Sequence, residues 1–116
     1  MWHPRTDRLK EACNKNKLFA YETWKDLVND SEIQGIIIAT PPEPRYELAL
    51  EAIKAGKHLL LEKPTCLNAD EVMELQRNAL KRNLKIAVDY EYRAVPLFMQ
   101  ATVSYTHLTL PTTPYV

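Results

Sequence analysis

Three short apolar runs in this sequence each end in side chains that could do chemistry. Residues 35–39 lead into Thr-Pro-Pro, residues 58–61 lead into Glu-Lys-Pro, and "KIAVD" leads into a segment that contains Arg93. A lysine ammonium stabilises an alkoxide that develops beside it, and partial desolvation lowers a lysine pKa enough for proton exchange. The neighbouring acid, Glu62, limits the cost of taking Lys63 out of water.

These ends can act together only if the runs are parallel neighbours in one sheet. The clearest βαβ unit is a strand at 35–39, a helix over 45–57 that Gly56 ends, and a strand at 58–62. The first strand is apolar on both faces, which is typical of a strand covered by helices on each side. Ligands bind beyond the carboxyl ends of such strands, so we expect all three ends to lie at one edge.

The remaining segments continue the alternation of strands and helices. Asn68 followed by Glu71 is compatible with a capping box, and Thr23 is placed to begin a short helix. The other predicted elements are a helix over 7–16, a strand over 18–22, a helix over 23–30, a helix over 69–83, a strand over 85–89 and a helix over 96–101. This order predicts an α/β fold with a parallel sheet.

Composition limits the classes of function. The chain has 116 residues, enough for about one domain, and its 46% apolar and 26% charged residues exclude a disordered or fibrous protein. Fifteen acidic and fifteen basic residues balance, so neither nucleic acid nor an anionic membrane is an expected partner. A small-molecule or protein partner is expected instead.

The cysteines indicate a reducing compartment. Cys13 and Cys66 lie far apart and match no metal-ligand spacing. No segment has the pattern of a signal peptide, and no apolar run approaches the length of a membrane span. We therefore expect two reduced thiols in a cytoplasmic protein, and no metal site.

The three strand ends also carry a family resemblance. "ATPP" at 39–42, "AGKHLLLEKP" at 55–64 and "RAVP" at 93–96, at this spacing, resemble the glucose-fructose oxidoreductase, inositol dehydrogenase and MocA family of NAD(P)-dependent oxidoreductases. The resemblance covers about residues 5–100, and the combination is much more specific than any one motif. It implies a Rossmann-type doubly wound sheet, NAD or NADP as cofactor, and hydride transfer to or from a hydroxyl or carbonyl of a sugar, polyol or related metabolite. It also implies a homo-oligomer for the intact protein.

The resemblance assigns roles to particular residues. Thr-Pro-Pro would line the cofactor beside its pyrophosphate and nicotinamide ribose, and Glu62 would accept hydrogen bonds from the ribose hydroxyls. Lys63 would be catalytic, placed between that ribose and the reacting group, and the Lys63–Pro64 bond would be cis. The cofactor-binding residues implied in this way are Thr40, Pro41, Pro42, Glu62, Lys63, Pro64 and Arg93.

Several of these residues have a simpler interpretation. Charges that follow strands are commonly just solvated, so Glu-Lys-Pro taken alone could be an exposed turn. Arg93 could form a surface ion pair with Glu91. Tyr46 is expected to pack in a helix core rather than to contact substrate. His58 lies at the end of its strand far from the ligand edge, so it is expected to be structural.

A function of another class also fits an α/β module of this size. A flavodoxin-like or receiver-like domain would bind a partner without redox chemistry. Such a domain predicts an acidic cluster at the strand ends, where this sequence has only Asp89 and Glu91. Thr-Pro-Pro and Glu-Lys-Pro therefore favour the oxidoreductase.

Two residues and one loop depart from the family pattern. Arg45 stands where a histidine is frequent, and Glu91 where an asparagine is frequent. Family members also begin with a strand and the loop GxGxxG, whose N–H groups hold the pyrophosphate. Neither glycine here, Gly35 or Gly56, can serve in that loop. We therefore expect a partial Rossmann-type doubly wound parallel sheet lacking its first two strands, with Arg5 hinting at the 2′-phosphate of NADP.

The two ends of the chain carry further expectations. By register, residues 1–13 look like the turn after the family's second strand, and Val103 to Thr113 resemble a translated sequencing adapter. We expect residues 1–101 to be a truncated NAD(P)-binding Rossmann domain and 102–116 an artefactual or disordered tail. Without the first strand, residues 35–39 would form an exposed apolar edge. The isolated chain is therefore expected to be poorly soluble or partly molten, and inactive.

Overall fold

The chain folds as alternating helices and parallel strands. The computed structural model describes residues 1–91, 95–97 and 99–100. Its elements, in chain order, are α1 Thr6–Asn16, α2 Trp24–Asn29, β1 Gly35–Ile38, α3 Pro42–Lys54, β2 His58–Leu61, α4 Ala69–Lys81 and β3 Ile86–Val88. Within the described residues the sheet has the order β1-β2-β3, with both pairs parallel. This confirms the predicted α/β class and the central βαβ unit.

Local sequence explains where the helices begin and end. α3 begins at Pro42, three residues earlier than predicted. Proline suits this position because the N–H groups of the first helical turn have no acceptor within the helix, so the N–H that proline lacks is not needed. It stops where Gly56 takes a left-handed φ of 79°. Asn68 caps α4 by accepting the Glu71 N–H at 2.9 Å, and Thr23 forms a capping box at α2, so both predicted starts are confirmed.

The core lies between the sheet and the pair α3 and α4. Ile53 and Leu61 are completely buried there, and Leu75 is 1% exposed. On β1, however, Ile36 and Ile38 are buried whereas Ile37 is 72% exposed. Since successive strand residues point to opposite faces, one face of β1 is uncovered in the described part of the chain. The prediction that this strand is buried on both faces is therefore wrong.

The predicted strand over 18–22 is also wrong. Its residues have no regular strand pairing, and Phe19 is 73% exposed. Among the described residues, Met1 pairs with this segment through two hydrogen bonds: its amino group donates to the Phe19 carbonyl at 2.7 Å, and its carbonyl accepts the Tyr21 N–H at 2.9 Å. A ladder needs several paired residues, and one residue cannot supply them.

The structure describes only part of the chain that follows β3. Pro96, Leu97, Met99 and Gln100 have helical backbone, in agreement with the predicted helix over 96–101. The predicted tail at 102–116 lies outside the described residues. Among the helices that the structure does describe, none is both long and apolar enough to cross a membrane.

β1 is an edge strand of the described sheet, and its uncovered face leads to a first testable expectation. A groove of about 390 Å³ runs along β1, with Ile37 and the segment 1–4 among its lining residues. Because an exposed apolar strand edge templates pairing between chains, we expect the 116-residue chain to self-associate. Ile37→Lys should raise the monomer fraction measured by size-exclusion chromatography with light scattering.

The matched control for this expectation lies on another face. Met73 is 48% exposed on α4, so Met73→Lys adds the same charge away from the groove along β1 and should leave the association unchanged. A wild-type chain that is monomeric and unfolds cooperatively would contradict the expectation. An equal rise in the monomer fraction in both variants would contradict it as well.

Candidate active site

The carboxyl ends of the strands converge on one edge of the sheet. Ile38 and Leu61 are partners in the parallel register, so the turns that follow them start side by side. The Glu62 N–H donates to the Ile38 carbonyl at 3.2 Å, and the Asp89 N–H donates to the Leu61 carbonyl at 2.9 Å. The structure thus brings the Thr-Pro-Pro and Glu-Lys-Pro turns together, beside the start of the segment that follows β3.

The Thr-Pro-Pro turn forms the entry to α3. Thr40 is partly buried, and its Oγ1 is buried with no hydrogen-bond partner among the described residues. Pro41 is the N-cap residue of α3 and Pro42 its first residue. Neither proline has an N–H, so this helix start offers fewer donors to an anion than other helix starts do. The turn is therefore better suited to line a ligand than to hold a pyrophosphate.

The Glu-Lys-Pro turn presents two charges at this edge. Glu62 is partly buried, and its Oε2 accepts the Lys63 N–H at 2.9 Å. The Lys63–Pro64 peptide bond is cis, which confirms that expectation. Pro64 itself is exposed. Glu62 and Lys63 thus follow the end of β2 as consecutive acidic and basic residues.

An ion pair connects this turn to the end of β3. The Lys63 Nζ lies 3.2 Å from the Glu91 Oε1, and the two side chains are 45% and 49% exposed. An ion pair that is this open to water contributes at most about 1 kcal/mol. The Lys63–Glu91 pair therefore adds little to the stability of the fold. Arg93, the other predicted residue after β3, lies outside the described residues.

Sequence reasoning missed the role of Arg45 and noted it only as a departure from the family pattern. Arg45 is buried, with 2% exposure, and it donates to backbone carbonyls of both turns. A signal was available, because Arg45 falls four and eight residues before Ala49 and Ile53 and so shares the buried face of α3. A cation on an apolar helix face needs local acceptors.

Two other groups near the site have shifted pKa values. Burial raises the pKa of the Cys66 thiol, with Glu71 adding to the rise and Arg45 opposing it. A hydrogen bond to Glu74 raises the pKa of the Tyr46 phenol, and the ring packs against the core, as predicted.

The remaining predictions concern a histidine and a metal. The Nδ1 of His58 accepts the Lys85 N–H at 3.0 Å, at the end of β2 away from the site, which agrees with the structural role expected for it. Across the part of the chain that the structure describes, no group of three or more His, Cys, Asp or Glu side chains is arranged to hold a metal ion.

Comparison with known proteins identifies the family. A family model described as an oxidoreductase family with an NAD-binding Rossmann fold, GFO_IDH_MocA, matches residues 1–90. The chain belongs to the Gfo/Idh/MocA oxidoreductase family. That assignment confirms the resemblance seen at the strand ends, and it makes the matched region an NAD-binding Rossmann domain.

Individual Gfo/Idh/MocA relatives agree with this assignment. An uncharacterized oxidoreductase of Synechocystis is 38% identical over 97 residues, which cover 83% of this chain and 26% of that protein. Levoglucosan dehydrogenase of Pseudarthrobacter phenanthrenivorans is 32% identical over 89 residues, or 73% of this chain and 23% of the enzyme. The chain thus spans about a quarter of the length of these relatives.

A solved structure agrees with the fold. The NAD-binding protein from Listeria innocua superimposes with a TM-score of 0.85 at 25% identity, covering 93% of this chain and 32% of the other. The parallel strands and their helices therefore have the arrangement of a Rossmann domain of this family.

The polar side chains at the carboxyl edge of the sheet fit the ribose of a nicotinamide nucleotide. A ribose carries neighbouring hydroxyls, which donate to carboxylates and exchange hydrogen bonds with other hydroxyls. Glu62 supplies the carboxylate, and the buried Thr40 Oγ1 has no partner among the described residues. The pyrophosphate is not matched in the same way, because the two prolines supply no N–H donors.

Proposed function

We propose that this chain is the nicotinamide-facing part of an NAD(P)-dependent oxidoreductase. The reaction is transfer of a hydride between the nicotinamide and the carbon of a hydroxyl or carbonyl group. The observation that carries the proposal is the placement of Thr-Pro-Pro and Glu-Lys-Pro side by side beyond β1 and β2. Residues 1–101 belong to the nucleotide-binding domain in this proposal, which the match over residues 1–90 supports.

Each turn has a distinct task in the proposed reaction. Thr40, Pro41 and Pro42 line the cofactor, and Glu62 accepts hydrogen bonds from the ribose hydroxyls. The nicotinamide supplies or takes up the hydride when it is bound. Lys63 orients the substrate oxygen and stabilises the negative charge that develops on it, since an ammonium near an alkoxide lowers the barrier. Pro64 completes the turn, and Arg93 is assigned to the nicotinamide end.

The proposed substrate is a sugar, a polyol or a related metabolite. Levoglucosan dehydrogenase, which is 32% identical over 89 residues, supports a carbohydrate substrate. The cofactor is NAD or NADP. We also propose that the 116-residue chain alone does not turn over, because its sequence has no GxGxxG loop to hold the pyrophosphate.

The proposed setting is a cytoplasmic homo-oligomer. The two cysteines, Cys13 and Cys66, are both free thiols and both buried, which suits a reducing compartment. Sedimentation equilibrium of a full-length protein that contains this segment would give the number of subunits.

Nucleotide titration of a full-length chimera tests the proposal. Residues 23–91 of this chain would replace the matching residues of levoglucosan dehydrogenase, which contributes the phosphate loop and the substrate domain. We expect saturable binding of NAD or NADP, followed by the change in nicotinamide fluorescence with reduced nucleotide. A folded chimera that binds neither nucleotide would overturn the proposal. It would then favour a binding module without redox chemistry.

The role of Glu62 gives a specific expectation in the same chimera. Glu62→Gln keeps the size of the side chain but removes its charge, and charge-assisted hydrogen bonds are roughly twice as strong as neutral ones. The Kd for the nucleotide should therefore rise about five- to tenfold. Glu47→Gln, an exposed change on α3, is the control and should leave Kd unchanged. Equal Kd values for the two variants would show that the Glu62 carboxylate does not bind the nucleotide.

A further inference from the structure

Arg45 is a buried cation whose hydrogen-bond partners, among the residues that the structure describes, are backbone carbonyls. Its side chain enters from the first turn of α3 and is 2% exposed. Its Nη1 donates to the Glu62 carbonyl at 2.6 Å and also to the Pro64 carbonyl, and its Nη2 donates to the Thr40 carbonyl. Both ion pairs found among the described residues lie elsewhere. Within the described part of the chain, Arg45 thus interacts with peptide dipoles and with no carboxylate.

The three acceptors belong to the two turns of the candidate site. The Thr40 carbonyl lies in the turn after β1, and the Glu62 and Pro64 carbonyls lie on either side of Lys63. A guanidinium is planar and carries its donors in a fixed fork, so it sets the separation of the groups that it joins. One side chain therefore ties the cofactor-lining turn to the turn that carries the carboxylate and the lysine.

We propose that Arg45 is a positioning residue for the reaction. By holding the three carbonyls, it keeps the Glu62 and Lys63 side chains aligned with the ligand that Thr-Pro-Pro lines. The inference rests on the proposed function, because it assigns Arg45 a task only where those turns bind a nicotinamide nucleotide. Displacing catalytic side chains by about 1 Å lowers the reaction rate by up to roughly a hundredfold.

Lys57 provides an internal comparison for this proposal. It is also a buried cation, with 6% exposure, and its Nζ donates to the Asp30 and Ile33 carbonyls at 2.6 and 2.7 Å. It precedes β2, whereas Arg45 contacts the turn that follows β2. Loss of Lys57 therefore removes a buried cation of the same kind without touching either turn of the site.

The test compares Arg45→Met with Lys57→Met in the full-length chimera. Both variants should lower the urea midpoint of unfolding, because both leave backbone carbonyls without donors. Only Arg45→Met should also lower kcat in the folded enzyme, by roughly ten- to a hundredfold, and raise the Kd for the nucleotide. Arg45→Lys keeps the charge but not the fork, so it should recover stability better than it recovers kcat.

Two results would overturn the inference while leaving the proposed function standing. One is an unchanged kcat and Kd in Arg45→Met; the other is an equal loss of kcat in Arg45→Met and Lys57→Met. If Arg45→Met does not fold, Arg45→Lys takes its place, and wild-type kcat in that variant overturns the inference. If the unsubstituted chimera folds but binds no nucleotide, the proposed function fails and this inference fails with it.

Discussion

Lys63→Met is expected to lower kcat for hydride transfer by about 10²- to 10⁴-fold in the full-length chimera, the range typical of positioned acid–base groups. Methionine has nearly the length of lysine but neither charge nor proton. The Kd for the nucleotide should change little, because Lys63 is assigned to the reacting oxygen and Glu62 to the ribose. Steady-state kinetics with levoglucosan, together with a nucleotide titration, separate the two effects.

The surroundings of Lys63 make this variant informative. Its side chain is 45% exposed and pairs with Glu91 at 3.2 Å, so its replacement opens no cavity in the core and should leave the fold intact. Lys81→Met, at the last turn of α4, is the matched control and should keep wild-type kcat. A kcat for Lys63→Met within about twofold of wild type would exclude a catalytic role for this lysine and leave the solvated-turn interpretation.

Leu61→Ala is expected to lower the free energy of unfolding by about 2–5 kcal/mol, the range for leucine truncation in a packed core. Leu61 has 0% exposure and lies on β2, the strand that pairs with both β1 and β3. The total stability of a domain is only about 5–15 kcal/mol, so this loss is a large fraction of it. Urea denaturation of the chimera, followed by circular dichroism, measures the effect.

The control for Leu61 uses the same chemical change on the surface. Leu80 is 71% exposed on α4, so Leu80→Ala should alter stability by no more than about 0.5 kcal/mol. Similar losses in the two variants would mean that Leu61 is not part of a packed core. Because Leu61 directly precedes Glu62, the result also tests whether the strand that carries the charged turn is anchored in the core.

The Lys63–Glu91 contact shows how a departure from the family pattern changes the site. With an asparagine after β3, the lysine would face a neutral group, whereas here it faces a carboxylate. Glu91 is 49% exposed, so water screens the pair and the attraction stays small.

The sequence by itself determined the elements and the edge where the chemistry lies. Asn68 and Thr23 began helices because their side chains reach backbone N–H groups within their own turn. The apolar runs became parallel neighbours because one short helix connects each pair. These interactions join residues that are close in the chain, and they leave a local pattern.

Only the tertiary structure decided what covers each element and what joins the turns. The exposure of Ile37 and the missing strand at 18–22 depend on whether a neighbour lies alongside, which the pattern of one segment does not contain. The role of Arg45 depends on carbonyls up to 19 residues away in sequence. A charged residue on a helix gives no sign of such acceptors until folding brings both strand ends to it, since hydrogen bonds depend on geometry and not on residue type alone.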